Sequence, residues 1–302
     1  MTSAPTDPIS AILRRLQLKA EIFKHARYCG RWAVDTSGLR TAPFHLIQKG
    51  DCWLHQEGSD PKRLTPGNLV VLPKDGAHII SPSAEPPPKK LINQAEDVPA
   101  EDADNIMLCG FFEFASRATW PLLESLPDAV ILDQKSQKFE DLVRVIFAEL
   151  EAPSPGSEAM LENLAQGLFI FVLRAAIEQG ASAGLLEALL DPKLGKALAL
   201  IHADPGAQLD LKRLTEVANM SRSAFVERFR KLTGDPPMRY LQQWRLQVAR
   251  DLLLRSSETV SAIAEQVGYA SEVSFRQTFR KEMGMTPSDV RRAATADLQE
   301  SP

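Results

Sequence analysis

Apolar residues change their spacing along the 302-residue chain, and each change predicts a different structural element. Residues 8–18 carry apolar side chains at helical spacing, so we expect a short helix there. From Glu21 to about Ile80 short apolar runs are bounded by turn residues, a pattern typical of strands. Residues 81–105 are rich in proline and acidic residues and predict a solvated excursion, after which residues 106–114 predict another strand.

After Leu132 the apolar spacing becomes helical. Residues 139–150 and 160–175 predict two amphipathic helices, and the segment PSPGS between them breaks the pattern. Such a pair forms a helical hairpin, whose apolar faces either cover the strand-rich region or leave one stripe to pair with a second chain. Both alternatives stay open here, and the second predicts a homodimer.

The last third of the chain contains an internal repeat. Residues 220–237 and 269–287 match at a constant offset of 50. The matched pairs are Phe225 with Phe275, Phe229 with Phe279, Gly234 with Gly284, and Pro237 with Pro287. One extra residue in the second copy changes the upstream offset to 49, where Asn219 matches Gly268.

Each copy predicts a helix, a tight turn and a second helix, at about residues 210–233 and 260–283. Gly268 and Asn219 suit the turn, because glycine and then asparagine best tolerate a positive φ. The Phe-x-x-x-Phe spacing directs both rings inward and leaves polar residues outside. Residues 238–255 predict one connecting helix about 27 Å long, close to the roughly 34 Å of one DNA turn.

The outward positions of the second helix in each copy predict contacts with a major groove. Arginine suits guanine and glutamine suits adenine, whereas Glu227 and Glu272 either accept from cytosine or make capping and intrahelical contacts. The candidate DNA-binding residues are Arg222, Ser223, Val226, Glu227 and Arg230 in the first copy, and Glu272, Val273, Arg276, Gln277 and Arg280 in the second. The basic residues one turn later, which include Lys231 and Lys281, suit phosphate contacts.

The net charge of −4 is unevenly distributed along the chain. Residues 205–292 hold 15 Lys and Arg against 10 Asp and Glu, a net charge of +5, whereas the rest holds 20 against 29, or −9. A basic segment at the repeat is what phosphate contact requires. No apolar run in the sequence reaches the roughly 20 residues of a membrane span, and the N-terminus lacks signal-peptide features, so we expect a cytoplasmic protein without a membrane partner.

The repeat and its connector resemble the C-terminal domain of AraC-type transcription regulators over about residues 195–292. The residues that carry the resemblance include Met220, Ser221, Arg228, Tyr240, Leu241, Trp244, Arg245, Leu246, Ala249, Ile263, Ala264, Val267, Tyr269 and Ser271, together with the repeat pairs above. The resemblance implies a transcription regulator, which is either an activator or a repressor. It also implies three partners: double-stranded DNA, RNA polymerase and a second copy of the chain.

The N-terminal half resembles the cupin-like sensor domain of one branch of the same family, through residues 44–47, 50–54, 64–73 and 76–78. The resemblance implies an α+β chain, with a cupin-like β-barrel and helical hairpin in residues 1–184. Residues 185–302 would form an all-α domain with tandem helix-turn-helix units. A signal sensed in the first domain would then control DNA binding by the second.

Three cysteines are too few for a disulfide framework, but two of them suggest redox sensing. Cys29 and Cys109 each precede a glycine, and Arg27 and Arg31 flank Cys29, which would favour its thiolate. A bridge between Cys29 and Cys109 is one hypothesis, and three small buried apolar side chains are the other. Trp53 and Leu54 beside Cys52 suggest a packed strand at that cysteine. The resemblance adds that some cupin-bearing regulators respond to oxidants or electrophiles through cysteines.

His45 and His78 are weak candidates for metal ligands. Cupin metal sites need a glutamate and further histidines, and no glutamate follows His45 at close spacing. We therefore expect no metal, no cofactor and no catalytic residue. Two other functions stay open: a cupin-type metal enzyme with an accessory DNA-binding domain, which metal analysis would reveal, and an architectural DNA binder without an effector.

Overall fold

The computed structural model describes residues 7–16, 18–39, 41–94, 97–114, 120–133, 136–181 and 183–292. Its contacts divide the chain into two compact units. The sheet unit comprises Leu18–Phe114 and Leu126–Ala181, and the helical unit comprises Met1–Gln17, Ala115–Ser125 and Ser182–Pro302. Two segments that precede residue 184 thus group with the helical unit.

The elements follow the predicted order of a short helix, then strands, then helices, except that the short helix Trp120–Glu124 precedes the last strand. The strands are β1 (Leu18–Tyr28), β2 (Ala42–Lys49), β3 (Cys52–Gln56), β4 (Lys62–Leu64), β5 (Leu69–Val71), β6 (His78–Ser81), β7 (Asn105–Phe114) and β8 (Val130–Leu132). The helices are α1 (Pro8–Leu16), α2 (Trp120–Glu124), α3 (Gln137–Glu151), α4 (Ser157–Glu178), α5 (Gly184–Leu190), α6 (Leu194–Ala203), α7 (Leu211–Ala218), α8 (Arg222–Thr233), α9 (Pro237–Arg255), α10 (Val260–Gln266) and α11 (Glu272–Met283). The α+β class is confirmed.

The strands of the sheet unit form two antiparallel sheets. One has the order β1-β7-β2-β5-β8, and the other has the order β4-β3-β6. Antiparallel sheets with one buried face alternate apolar and polar residues, which is the pattern that predicted them. Both sheets contribute to one core, whose buried members include Trp32, Cys52, Leu54, Val70, Ile80, Met107 and Cys109.

The pairing of β2 with β7 positions the polar cluster described below. His45 lies opposite Cys109, and Phe44 lies opposite Gly110. Because directly opposed residues project from the same face, His45 and Cys109 share the inner face of the sheet. Gly110 leaves room for the ring of Phe44, since a Cβ at residue 110 would lie 2.3 Å from Phe44 Cζ.

The predicted helical hairpin is confirmed as α3 and α4 in the sheet unit. Phe139, Val143 and Ile146 of α3 are buried, and α4 packs against β1, β8 and α3. By length and composition α4 is apolar enough to cross a membrane, and one of its faces, which includes Leu168 and Val172, is buried in the sheet unit. That single helix is therefore weak evidence for a membrane span.

The helical unit contains both predicted helix-turn-helix copies, α7 with α8 and α10 with α11. The two turns have the predicted left-handed residues, with φ of +50° at Asn219 and +83° at Gly268. The four repeated phenylalanines are fully buried, as their spacing predicts: Phe225, Phe229, Phe275 and Phe279. The connector is the continuous helix α9, which Pro237 begins.

Helices that flank the first copy complete the helical unit. The segment that opens the predicted DNA-binding half folds as α5 and α6, separated at Asp191. Helix α1 packs against α6, and α5 packs against both α2 and α8. The first helix-turn-helix copy therefore has additional helices packed behind it.

Candidate functional site

Helix α8 presents its predicted DNA-reading residues at the surface. Arg222, Ser223, Glu227 and Arg230 are exposed, and Val226 is half-buried. The helix begins at Ser221, whose hydroxyl accepts a hydrogen bond from the backbone N–H of Ala224 at 3.4 Å. The same residues line an open groove beside α7 and the start of α9, which also includes Leu211, Lys231, Pro236, Pro237 and Met238.

Helix α11 presents the matching face of the second copy. Val273, Gln277 and Arg280 are exposed, whereas Glu272 and Arg276 are half-buried. Arg276 Nε donates to Glu272 Oε1 at 2.6 Å, which is the intrahelical alternative that the sequence left open for Glu272. Val273 leaves 66% of its surface accessible, which is unusual for a large apolar residue and suits contact with a thymine methyl group.

Arg245 of α9 holds the loop that precedes the first copy and the turn of the second. Its Nε donates to the carbonyl of Pro205 and its Nη2 to the carbonyl of Ala207, each at 2.8 Å. A third contact joins Nη1 to the carbonyl of Gly268 at 3.4 Å. The sequence signalled Arg245 only as part of the family pattern, because the carbonyls it binds are up to 40 residues away.

The surroundings of Cys29 correct the expectation of a favoured thiolate. Cys29 is exposed, but its thiol donates to Asp104 Oδ2 at 3.3 Å, and the backbone N–H of Gly30 donates to the same oxygen at 3.0 Å. The hydrogen bond to Asp104 and the negative charge of that carboxylate raise the pKa of the Cys29 thiol. Asp104, rather than the flanking arginines, thus determines the direction in which the pKa of the Cys29 thiol is shifted.

The register of β1 and β7 excludes a direct bridge between Cys29 and Cys109 in this conformation. Tyr28, which precedes Cys29, pairs with Asn105, whereas Cys109 pairs with Lys24. Cys29 therefore lies five residues along β1 from the position opposite Cys109, roughly 16 Å at about 3.3 Å per residue. A disulfide needs Cα atoms within about 7 Å, so the predicted bridge between Cys29 and Cys109 is wrong.

Cys109 instead belongs to a buried polar cluster with His45, Thr36 and His78. His45 Nδ1 lies 3.2 Å from Cys109 Sγ, and His45 Nε2 lies 3.3 Å from His78 Nε2. The hydroxyl of Thr36 lies 3.1 Å from His45 Nε2 and 3.0 Å from His78 Nε2. The sequence indicated the two histidines, but not that Thr36 joins them.

One assignment of protons accounts for the four contacts that join Cys109, His45, Thr36, His78 and the carbonyl of Gly76. His78 Nδ1 must donate to the carbonyl of Gly76, which lies 2.8 Å away, so His78 Nε2 accepts from Thr36. His45 Nε2 then donates to Thr36, and the thiol of Cys109 donates to His45 Nδ1. The result is one directional chain of hydrogen bonds from Cys109 to the backbone.

Burial keeps the cluster uncharged. Loss of hydration lowers the pKa of His45 to about 3, with a further contribution from His78, and raises the pKa of Cys109 to about 12. At neutral pH the thiol and the imidazole therefore both carry no charge. Cys109 is inert in this resting state, because the thiolate is the reactive form.

These residues do not fit a cupin metal site. Among the residues that the structure describes, no group of three or more His, Cys, Asp or Glu side chains is arranged to hold a metal ion. The lone pair of His78 Nε2 and the N–H of His45 are already used within the cluster. His45 and His78 are thus partners of each other and of Thr36.

A cleft of about 450 Å³ leads towards the cluster from the surface of the sheet unit. Cys109 and Thr36 form part of its wall, together with Lys24, Tyr28, Asp35 and Asn93. The ammonium of Lys24 lies over the ring of Tyr28, 5.4 Å from its centroid. A small molecule that entered the cleft would meet a cation, an aromatic ring and a thiol.

Comparison with known proteins connects both units to described families. A cupin family model matches residues 7–178, and a helix-turn-helix domain model matches residues 214–293. A relative from Streptomyces lividans, named as an AraC-like transcription regulator, is 30% identical over 96% of this chain and 99% of its own length. The RCS-specific HTH-type transcriptional activator RclR of Escherichia coli is 28% identical over 94% of this chain and 97% of its own.

Comparison with solved structures also gives a match. The DNA-binding domain of the transcriptional factor AdpA, in complex with a target DNA, is 31% identical over 40% of this chain and 100% of its own, with a TM-score of 0.31. The full-length similarity to the Streptomyces relative and the cupin match over more than half of the chain carry the assignment. The chain belongs to the AraC-like DNA-binding transcription regulators, with an N-terminal cupin sensor domain and a C-terminal helix-turn-helix domain.

Proposed function

We propose that one chain of this regulator reads two adjacent major-groove segments, one with α8 and the other with α11. The observation that carries the proposal is the pair of outward faces on the two copies. The proposed base-reading and phosphate-binding residues are Arg222, Ser223, Val226, Glu227, Arg230, Val273, Arg276, Gln277 and Arg280, and Glu272 of the same face holds Arg276 in the unbound chain. The connector α9 has 19 residues and is about 28 Å long at about 1.5 Å per residue, close to one turn of DNA.

Footprinting of the purified protein on the promoter regions beside its own gene tests this proposal. We expect each chain to protect two groove segments about 10 base pairs apart, and a dimer to protect two such pairs. A footprint with a single protected groove segment per chain would contradict it.

The signal that we propose is an oxidant, sensed through the thiols of Cys29 and Cys109. Cys29 is the exposed thiol, and Cys109 lies at the wall of the cleft in contact with His45. Since the two cysteines are distant, each thiol would be oxidised separately, Cys29 first. If neither responds, a small molecule bound in the cleft near His45 and His78 becomes the signal.

We propose that the active form is a homodimer that activates transcription through RNA polymerase. Helices α3 and α4 leave large apolar side chains accessible, with Val145 41%, Met160 45% and Ile170 41% exposed. Exposed apolar residues on neighbouring helices suit contact with a second copy. The name of the E. coli relative, a transcriptional activator, supports activation over repression.

We further propose that the chain acts in the cytoplasm as a binding protein and not as an enzyme. Its relatives are named as transcription regulators of bacteria, and bacterial DNA lies in the cytoplasm. The saturated hydrogen bonds of His45 and His78 support a structural rather than a catalytic cluster. Elemental analysis of the purified chain tests this point: stoichiometric iron or manganese would support the alternative function, a cupin-type metal enzyme.

A further inference from the structure

Asp191 connects the helices behind the first copy to its reading helix. One carboxylate oxygen, Oδ1, accepts from the backbone N–H groups of Lys193 and Leu194, at 2.8 and 2.9 Å, and so caps α6. The other oxygen, Oδ2, accepts from Arg228 of α8, from Nε at 2.8 Å and also from Nη2. A single carboxylate thus binds two helices at once.

The burial of Asp191 distinguishes this contact from an ordinary surface ion pair. Only 5% of its side chain is accessible, against 55% for Arg228. Burial by itself raises the pKa of Asp191, but the backbone donors of Leu194 and Lys193 and the guanidinium of Arg228 outweigh it and hold the pKa below its ordinary value. The carboxylate is therefore charged at neutral pH, and both Arg228 contacts are charge-assisted.

The second copy lacks this restraint. At the offset of 50, Arg228 corresponds to Thr278, which has no guanidinium. Helix α8 also packs against α5, which ends immediately before Asp191, whereas α11 packs against α10 within its own copy. The two reading helices are thus held differently although their outward faces match.

We infer that Asp191 is a positioning residue for DNA reading: through Arg228 it fixes the rotation of α8 about its axis. This inference rests on the proposed reading role of α8. Val226 and Arg228 are two residues apart, about 160° around the helix, so Arg228 restrains the flank opposite the reading face. Side-chain tips lie about 6 Å from the helix axis, where a rotation of roughly 20° moves them about 2 Å.

A displacement of that size breaks base contacts. Hydrogen bonds to base edges tolerate only a few tenths of an ångström, so a freely rotating α8 keeps phosphate contacts but loses base preference. Asp191 therefore acts on sequence discrimination in the groove segment read by α8, while the segment read by α11 is unaffected.

Selection of bound sequences from a random duplex pool, with the full chain, tests this inference. Asp191→Asn keeps an oxygen that can cap α6 and removes the charge that holds Arg228. We expect base preference to fall about tenfold in one half of the selected site and to persist in the other. Arg228→Met, at an exposed position, should give the same half-specific loss, and the double variant should lose no more than either single variant.

Glu216→Gln is the matched control, because it removes one negative charge from α7 and breaks only the exposed contact with Arg213 at 3.9 Å. Glu216→Gln should preserve base preference in both halves of the selected DNA site. Equal loss in both halves, or unchanged preference, in the folded Asp191→Asn and Arg228→Met variants would overturn the role of Asp191. The wild-type selection separately tests the proposed function: a site with only one preferred half would refute reading by two helices.

Discussion

Arg276 is bound to Glu272 across one turn of α11, with Nε of the arginine 2.6 Å from Oε1 of the glutamate. Both side chains are partly accessible, 42% and 35%, so such a pair contributes only about 0.3–0.5 kcal/mol. If Arg276 reads a base, this contact opens on binding. Glu272→Gln should therefore tighten operator binding about twofold, measured by fluorescence anisotropy at fixed salt. Weaker binding would indicate that Glu272 itself contacts DNA.

Removal of Arg276 tests the same helix from the other side. Arg276→Ala should weaken binding by about 1–3 kcal/mol and relax preference at one base pair, because a guanine loses its bidentate partner. Competition titrations with single-base variants of the operator measure this. Uniform weakening across all variants would make Arg276 a phosphate contact instead.

His202 gives the helical unit a pH-dependent stability. It is fully buried between Tyr240 and Trp244, with Nε2 2.9 Å from the Tyr240 hydroxyl, and burial lowers its pKa to about 3. The unfolded chain, with an ordinary histidine pKa near 6.5, binds this proton as the pH falls below 6.5. The contribution of His202 is thus fully present above pH 6.5 and decreases towards pH 3.

From pH 7 to 5.5 this histidine should cost about 1 kcal/mol of unfolding free energy. Urea titrations followed by tryptophan fluorescence measure the loss, since the Trp244 ring is 4.6 Å from that of His202. His202→Phe lowers the free energy of unfolding at every pH. It should also reduce the difference in that free energy between pH 7 and pH 5.5 by about 1 kcal/mol. An unchanged slope in the variant would show that His202 is not the titrating group.

The exposed residues of α3 and α4 predict the assembly state. The full chain is needed for this test, because a fragment ending near residue 181 would separate α1 and α2 from α5 and α6. We expect a dimer at tens of micromolar by sedimentation equilibrium, and a monomer for Ile170→Lys. Leu190→Lys, at a similarly exposed apolar residue of α5, is the control that should stay dimeric. A monomeric wild type would contradict the prediction.

The repeat made the helical unit predictable from sequence. Phe225 and Phe275 define the buried face of their helices by spacing alone, and Asn219 defines a turn because few residues tolerate its backbone conformation. Short elements gave no such signal: α2 has five residues and β8 has three, which is less than two periods of a helix or of a strand. β1 also begins at Leu18, three residues before the predicted strands.

Long-range pairing was the part that spacing could not supply. Whether Cys29 meets Cys109 depends on the register of β1 with β7, which includes an irregularity between Ile22 and Lys24. Thr36 joins two histidines that are 33 residues apart, and Asp191 binds an arginine 37 residues later. Such partners become visible only when the fold brings them together.

The oxidant response is the prediction that the structure changes most. Oxidation of Cys109 to a sulfenic acid would remove the thiol donor from His45 Nδ1 and add an oxygen inside a packed core, where all residues of the cluster are already paired. We therefore expect hypochlorous acid to change operator affinity of the wild type, and Cys109→Ala to abolish the slower part of that change, which follows oxidation of this buried thiol, while basal binding persists.

Cys29 and Cys52 separate the routes to this response. Cys29 is exposed, so Cys29→Ala should remove the fast phase of thiol loss, measured by mass spectrometry, and the part of the affinity change that accompanies it. Cys52 is buried, and burial raises its pKa to about 12, so Cys52→Ala should leave the response intact.

Because no bridge joins Cys29 to Cys109, the oxidised monomer should show two separately modified thiols and no intramolecular disulfide between them. An unchanged oxidant response in both Cys29→Ala and Cys109→Ala would end the redox hypothesis in favour of a small molecule in the cleft beside Thr36.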